Sequence, residues 1–163
     1  MNFLIFLIFS LNLQIEPKDP APEDKITINL SKRFSGYFWW IEISGGDPYK
    51  LIPHVEKIDN VNKISLTSSD KNTSLIIFFF EDKKGKFIMD TSFYMIYYRE
   101  NKPLPHAFSL LALFYFYEKS LFPNFQKFES LWLKERRYYE NHYDFMDNFY
   151  EFALKLGKKK LKI

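Results

Sequence analysis

The hydrophobic periodicity of this 163-residue chain changes at residues 102–105, which read Lys-Pro-Leu-Pro. Before this point, residues 26–30 and 37–43 alternate with the period of two that is typical of strands, and residues 75–80 are continuously apolar. After it, apolar residues recur at the spacing of helices. Strands grouped first and helices grouped later predict the α+β class with a largely antiparallel sheet.

The first part of the chain predicts a sheet of about five strands with one short helix inserted. Residues 63–67 and 87–98 complete the strands, and residues 81–86 with Gly85 predict a hairpin turn. The short helix is expected to begin near Pro53, because the apolar residues around it have helical spacing: Leu51, Ile52, Val55 and Ile58.

Two C-terminal helices are expected to pack on one face of the sheet. Residues 107–117 are apolar except for Ser109, which is typical of a buried core helix. From residue 125 to 156 a stripe with three- and four-residue spacing predicts a long amphipathic helix that ends at Gly157. The stripe contains Phe125, Phe128, Trp132, Glu135, Tyr139, His142, Met146, Phe149, Ala153 and Leu156.

The N-terminal residues predict export. Residues 1–15 carry no charge and residues 3–9 are all apolar, a length that suits a signal peptide rather than a membrane span. We therefore expect a signal peptide at 1–14, a Pro-rich linker at 15–25 and a single domain at 26–163, in a secreted or periplasmic (envelope) location. The absence of Lys and Arg before the apolar run leaves two alternatives open: a cytoplasmic chain that begins with a buried or edge strand, and a membrane-retained anchor.

Composition and charge exclude several classes. Without cysteine, the chain cannot be a disulfide scaffold, an iron–sulfur protein or a thiolate zinc site. A net charge of +3 with only four arginines disfavours a nucleic-acid partner. A basic tail offers at most a weak contact with an anionic surface through Lys158, Lys159, Lys160 and Lys162. No motif predicts a metal or a cofactor.

The candidates for catalysis are few. The chain has three histidines, and none has the spacing of metal ligands. Glu135 and His142 interrupt the apolar stripe of the last helix, and with His106 they are the candidate catalytic residues; the more ordinary interpretation places them at the margin of a packed face. Glu42 and Asp90 interrupt aromatic strands and are expected on their solvent-facing side.

Aromatic residues make up 20% of the chain, and most of them are expected in the core. Phe38, Trp40, Tyr94 and Tyr98 are the candidates for a ligand-binding surface. These features favour an exported or envelope-associated domain that binds another protein or a small apolar ligand. The alternatives are a small enzyme with a His–carboxylate pair in a pocket between sheet and helices, and a cytosolic interaction module.

Overall fold

The computed structural model describes residues 11–44, 50–88, 93–118 and 125–139, most of which form antiparallel sheet. The strands are β1 (Leu13–Glu16), β2 (Ile26–Ser44), β3 (Lys50–Leu66), β4 (Thr73–Asp82), β5 (Phe87–Ile88), β6 (Tyr94–Ile96), β7 (Tyr98–Arg99) and β8 (Lys102–Pro103). The helices are α1 (Ala107–Glu118) and α2 (Phe125–Tyr138).

The 19-residue strand β2 organises the sheet. One of its edges pairs with β3 over nearly the whole length, and the other edge pairs first with β1 and then with β4. The far edge of β4 pairs with β5 and β6. The register of β2 and β3 shifts twice between Asn29 and Gly36, and such irregularities bend a strand. The sheet therefore curls into a half-barrel.

The inner face of the curled sheet holds the larger hydrophobic core. Phe38 lies at its centre, with ring centroids 5.2 Å from Phe80 and 5.8 Å from Phe78. Phe34 and Phe93 meet Phe80 edge-on, at 5.3 and 5.8 Å. Burial of each such ring stabilises the fold by about 1.5–3 kcal/mol, so this aromatic cluster contributes substantially to the stability of the curled sheet.

The two helices cover one end of the outer face. Ile43, Leu75, Ile77 and Ile96 point outward from β2, β4 and β6 and form a second core cluster with residues of α1 and α2. The continuous apolar run of β4, residues 75–80, is buried on both faces of the sheet except at Phe79, which is half-buried on the outer face. The sheet and helix content is consistent with the α+β class.

The predicted short helix near Pro53 is wrong, because these residues belong to strand β3. Leu51, Pro53 and Val55 face Ile43, Ile41 and Trp39 of β2. Cross-strand pairing with the long β2 outweighs the local helical spacing. Pro53 is tolerated because β3 pairs only with β2 among the described residues, and a proline is accepted on an edge strand.

Several other predictions are confirmed or corrected at the boundaries. The hairpin turn is confirmed, and Gly85 has the positive φ (78°) that such a turn uses. The predicted strand 87–98 is divided into β5, β6 and the start of β7. The structure places residues 13–16 in strand β1, which pairs with β2. The last predicted helix is seen as α2, and its continuation over residues 140–156 lies outside the described residues.

Candidate functional site

Glu42 is a buried carboxylate on the inner face of β2. It is the fifth residue of an alternating segment that starts at Phe38, so it points to the same side as that ring. Only 1% of its surface is exposed, so the expectation that it lies on a solvent-facing side is wrong. Asp90, the other acid of this kind, lies outside the described residues.

Hydroxyl and amide groups of the β3–β4 loop, together with Thr73 at the start of β4, donate hydrogen bonds to this carboxylate. Ser69 donates from its backbone N–H at 3.0 Å and from its hydroxyl at 2.9 Å, and the hydroxyls of Ser68 and Thr73 donate at 3.0 and 3.3 Å. Burial raises the pKa of Glu42, but these hydrogen bonds outweigh burial and the net pKa is lowered. Glu42 is therefore ionised at neutral pH.

His54 joins this group from the neighbouring strand. Its Nε2 lies 3.2 Å from Oε1 of Glu42, and its ring stacks on Trp40 with centroids 4.7 Å apart. Its side chain is 26% exposed, so it lies at the rim of the inner face. We call Glu42, His54, Ser68, Ser69 and Thr73 the inner polar cluster.

The hydrogen bonds of the inner polar cluster point to a structural role. Ser68 donates its hydroxyl to Glu42, whereas a serine nucleophile would donate to a histidine base. These donors converge on Oε2 of Glu42, which fixes the β3–β4 loop against β2. Tyr97 is fully buried nearby, and burial, with a contribution from the Glu42 charge, raises the pKa of its hydroxyl.

The outer face beyond the helices carries an exposed apolar surface. We call it the outer apolar patch, and it consists of Tyr37, Trp39, Leu51, Val55, Phe79 and Phe87. Leu51 is 63% exposed, Phe87 51%, Val55 49% and Tyr37 40%. Val55, Trp39 and Phe79 are aligned across three strands, because Trp39 pairs with both of the others. The patch is therefore contiguous across the sheet.

Aromatic contacts and one hydrogen bond hold the patch in a fixed geometry. The rings of Trp39 and Phe79 are parallel within 4° at 5.9 Å, and Phe79 contacts Phe87 at the same separation. The indole N–H of Trp39 donates to the Glu81 carboxylate at 3.0 Å. The polar atom of Trp39 is thereby satisfied within the domain, and a preorganised apolar surface faces outward.

The structure divides the four predicted ligand-binding aromatics between the two cores. Phe38 is completely buried, so it cannot belong to an exposed surface in this conformation. Trp40 is half-buried against the inner core, and Tyr94 and Tyr98 are half-buried against the helix-covered core. The opposite side of β2 carries the exposed Tyr37 and the half-buried Trp39.

Two of the candidate catalytic residues, Glu135 and His106, meet through the backbone of His106. The buried Glu135 carboxylate accepts hydrogen bonds from the backbone N–H groups of His106 at 2.6 Å and of Phe108 at 2.8 Å. Burial raises the pKa of Glu135, and these hydrogen bonds partly offset the effect. Glu135 therefore caps the start of α1, while His142 lies outside the described residues.

The described residues contain no group of three or more potential metal ligands. None of the helices in the described part of the chain has the length and apolar character needed to cross a bilayer.

No protein-family model matches the chain, and neither a curated protein nor a solved structure matches it.

The alternation of residues 37–43 assigns Tyr37, Trp39, Ile41 and Ile43 to one face, so sequence reasoning found the members of this side of β2. It could not find which face is exposed, because the curl closes the inner face and the helices cover only one end of the outer face.

Proposed function

We propose that this chain is a binding domain whose outer apolar patch holds an amphipathic helix of a partner protein. The observation that carries the proposal is the exposure of Tyr37, Leu51, Val55 and Phe87, each 40–63%, on one continuous sheet face. Soluble domains rarely leave large apolar side chains grouped in this way unless another molecule covers them. Aromatic side chains in particular dominate the energetics of such contacts.

The choice of a helix as the occupant follows from continuity with the helix–sheet interface of the domain itself. Ile43 and Leu75 lie under α1 and α2, and the patch extends along the same strands through Ile41 to Trp39 and Phe79. The covered and the open parts of this face thus share one pleated surface of apolar side chains. A surface that already packs helices at one end has the geometry to accept another beside them.

The edge of β3 is less suited to binding than the face. Edge strands invite pairing with another strand, and proteins discourage it with proline, lysine and irregular backbone. β3 carries Pro53 and Lys57, and Asn60 has a positive φ of 52°. These features disfavour strand addition and leave the outer face as the binding surface.

The proposal is tested with a synthetic amphipathic helix. An 18-residue peptide with Leu on one face and Lys on the other, labelled with a fluorophore, is titrated with the full chain, and a scrambled peptide of the same composition is titrated in parallel. We expect saturable binding of the amphipathic peptide that Val55→Lys weakens about tenfold or more, because a lysine in the centre of the contact must be desolvated.

Leu133→Lys provides the matched control. Leu133 is 48% exposed on α2, outside the patch, so the substitution has the same chemistry and nearly the same starting exposure. Circular dichroism and thermal unfolding of both variants establish that the fold is retained. Equal weakening by the two substitutions, or equal binding of the scrambled peptide, would show that the patch does not select a helix.

The predicted location and domain extent belong to the same proposal. The apolar residues 3–9 support export to the envelope or outside the cell, and the core that joins β2, β4 and both helices supports a single α+β domain. Cell fractionation with mass spectrometry of the N-terminus tests the location. If the chain is cytosolic and retains Met1, the proposed export is wrong, whereas the proposed binding role is unaffected.

A further inference from the structure

A cleft at the end of the sheet gathers positive charge from three separate segments. It has a volume of about 500 Å³ and lies beside Leu104 and Pro105, just before α1. Lys50 at the start of β3, Lys71 in the β3–β4 loop and Arg99 in β7 line it. The volume is within the range of small-molecule sites.

Among the described residues that line this cleft, positively charged side chains outnumber carboxylates. Asp70 is the sole acid among the described lining residues, so three positive charges meet one negative charge. Asp70 is itself held in place: its Oδ1 accepts the backbone N–H of Asn72 at 2.9 Å, and its Oδ2 contacts the ammonium of Lys50 at 2.9 Å. The Asn72 and Lys50 hydrogen bonds lower the pKa of Asp70, so it is a fixed anion that positions Lys50.

Arg99 is positioned by two further contacts. Its guanidinium donates to the backbone carbonyl of Lys71 at 3.4 Å and lies 3.7 Å from the Glu23 carboxylate. Both Arg99 and Glu23 are more than half exposed, so this ion pair is weak. Most of the donor capacity of the guanidinium therefore remains for a ligand.

Two neutral serine residues form part of the cleft wall. Ser44 and Ser74 line it and are almost fully buried, at 6% and 3% exposure. The Ser74 hydroxyl donates to the Pro105 carbonyl at 2.8 Å, which fixes the wall next to α1. A polar floor with cations around it is complementary to a compact oxyanion rather than to an apolar ligand.

We propose that this cleft binds the phosphoryl group of a small soluble ligand through Lys50, Lys71 and Arg99. Like charges that converge in a cleft repel one another, and an anion at their centre relieves the repulsion. Arg99 supplies a planar fork and the two lysines supply point charges, the combination that recognises phosphate oxygens. This site is separate from the outer apolar patch and does not depend on the function proposed for it.

The test uses the full chain with inorganic phosphate and glycerol phosphate at constant ionic strength, followed by calorimetric titration and by Tm. We expect saturable binding that raises Tm, because a ligand that binds only the folded state stabilises it. Lys71→Gln and Arg99→Gln are each expected to weaken binding about tenfold. Without ligand, Lys71→Gln should leave Tm unchanged or raise it, because it relieves repulsion; a purely structural role would give the opposite result.

Lys63→Gln serves as the matched control, because Lys63 is an exposed lysine of β3 outside the cleft. It should bind phosphate as the unchanged chain does. Equal weakening in this variant, or no saturable binding of either phosphate, would overturn the proposal. Vesicles containing phosphatidic acid, compared with pure phosphatidylcholine, form the last arm. Binding to those vesicles without binding to soluble phosphate would overturn the proposal of a soluble ligand and would assign the cleft to a lipid headgroup.

Discussion

The carboxylate of Glu135 in α2 accepts the backbone N–H of Phe108 in the first turn of α1, with Oε2 and N 2.8 Å apart. The first turn of a helix leaves backbone N–H groups without intrahelical partners, and its dipole favours a negative charge there. A side chain from the next helix thus performs the capping that a neighbouring residue usually provides. The contact links the start of α1 to the last turn of α2.

Glu135→Ala is therefore expected to destabilise the domain by roughly 2–4 kcal/mol, because it leaves several buried N–H groups without an acceptor. Glu135→Gln should cost less, since the amide oxygen can still accept one of these bonds. Urea unfolding monitored by circular dichroism measures both. Ser130→Ala, at an exposed position of the same helix, is the control and should change stability by about 0.5 kcal/mol at most. A loss of similar size in the control would contradict the capping role.

The sequence predicted this helix pair but not this contact. The stripe from Phe128 through Trp132 to Glu135 predicts one face of a helix, because its three- and four-residue spacing can be recognised within a short stretch of sequence. The partner of Glu135 is 27 residues earlier in the chain, and no periodicity shows that an interrupting carboxylate meets the start of another helix. The sequence therefore identified Glu135 as unusual, but its capping role can be recognised only from the packing of the two helices.

Gly36 gives a second test, of the bend in β2. A Cβ at this position would lie 2.1 Å from the backbone oxygen of Glu81, and φ is +152°. Gly36→Ala is expected to destabilise the fold by several kcal/mol, because backbone must move in a paired strand. Gly85→Ala is the matched control: it has a positive φ of 78°, but its nearest neighbour would be a side-chain oxygen at 3.8 Å. It should cost about 1 kcal/mol, from backbone strain alone.

Comparing the unfolding free energies of the two variants separates the cost of a steric clash with the Glu81 backbone from the cost of a positive φ. Similar losses for both glycines would mean that the contact between β2 and β4 at Glu81 relaxes easily. The bend would then not depend on the absence of a side chain at Gly36.

Glu42 predicts a specific loss of stability in acid. Because its pKa in the folded state is below the ordinary 4.5, the group stabilises the fold above that pH. This contribution is lost as the pH falls through the folded pKa. We expect Glu42→Gln to cost roughly 2 kcal/mol at pH 7, where the loop donors lose a charged acceptor, and much less near pH 2. Unfolding by urea at several pH values measures the difference.

Asp59→Asn provides a control for this pH dependence. The pKa of Asp59 is also lowered, first by the Ser35 hydroxyl and then by Lys83, but the residue is fully exposed. Its substitution should leave the acid dependence that is assigned to Glu42 in place. A variant at Glu42 that still loses stability in acid as steeply as the unchanged chain would rule out this carboxylate as the origin.

The prediction of a short helix near Pro53 failed for a reason that also explains the exposed patch. Leu51 and Val55 fit a helix four residues apart, but in β3 they lie on one face and project outward beside Ile43 and Trp39. Two residues that are four positions apart lie on the same face both in a helix and in a strand. Only the long-range pairing with β2 decides between them, so neither the strand nor its exposed side chains could be read locally.

The N-terminal strand yields the last prediction, which bears on the expected processing of the chain. Leu11 is 4% exposed in the inner core, Leu13 packs partly against it, and Asn12 exchanges hydrogen bonds with Ser31. A cut after residue 14 would remove all three residues. Compared with a chain that begins at Leu11, one that begins at Ile15 should lose roughly 3–5 kcal/mol, since each buried leucine contributes about 1.5–3 kcal/mol. We therefore expect any mature N-terminus to lie at or before Leu11, which intact-mass measurement of the exported chain would show; a mature chain that begins after residue 14 and is equally stable would mean that β1 contributes nothing to the fold.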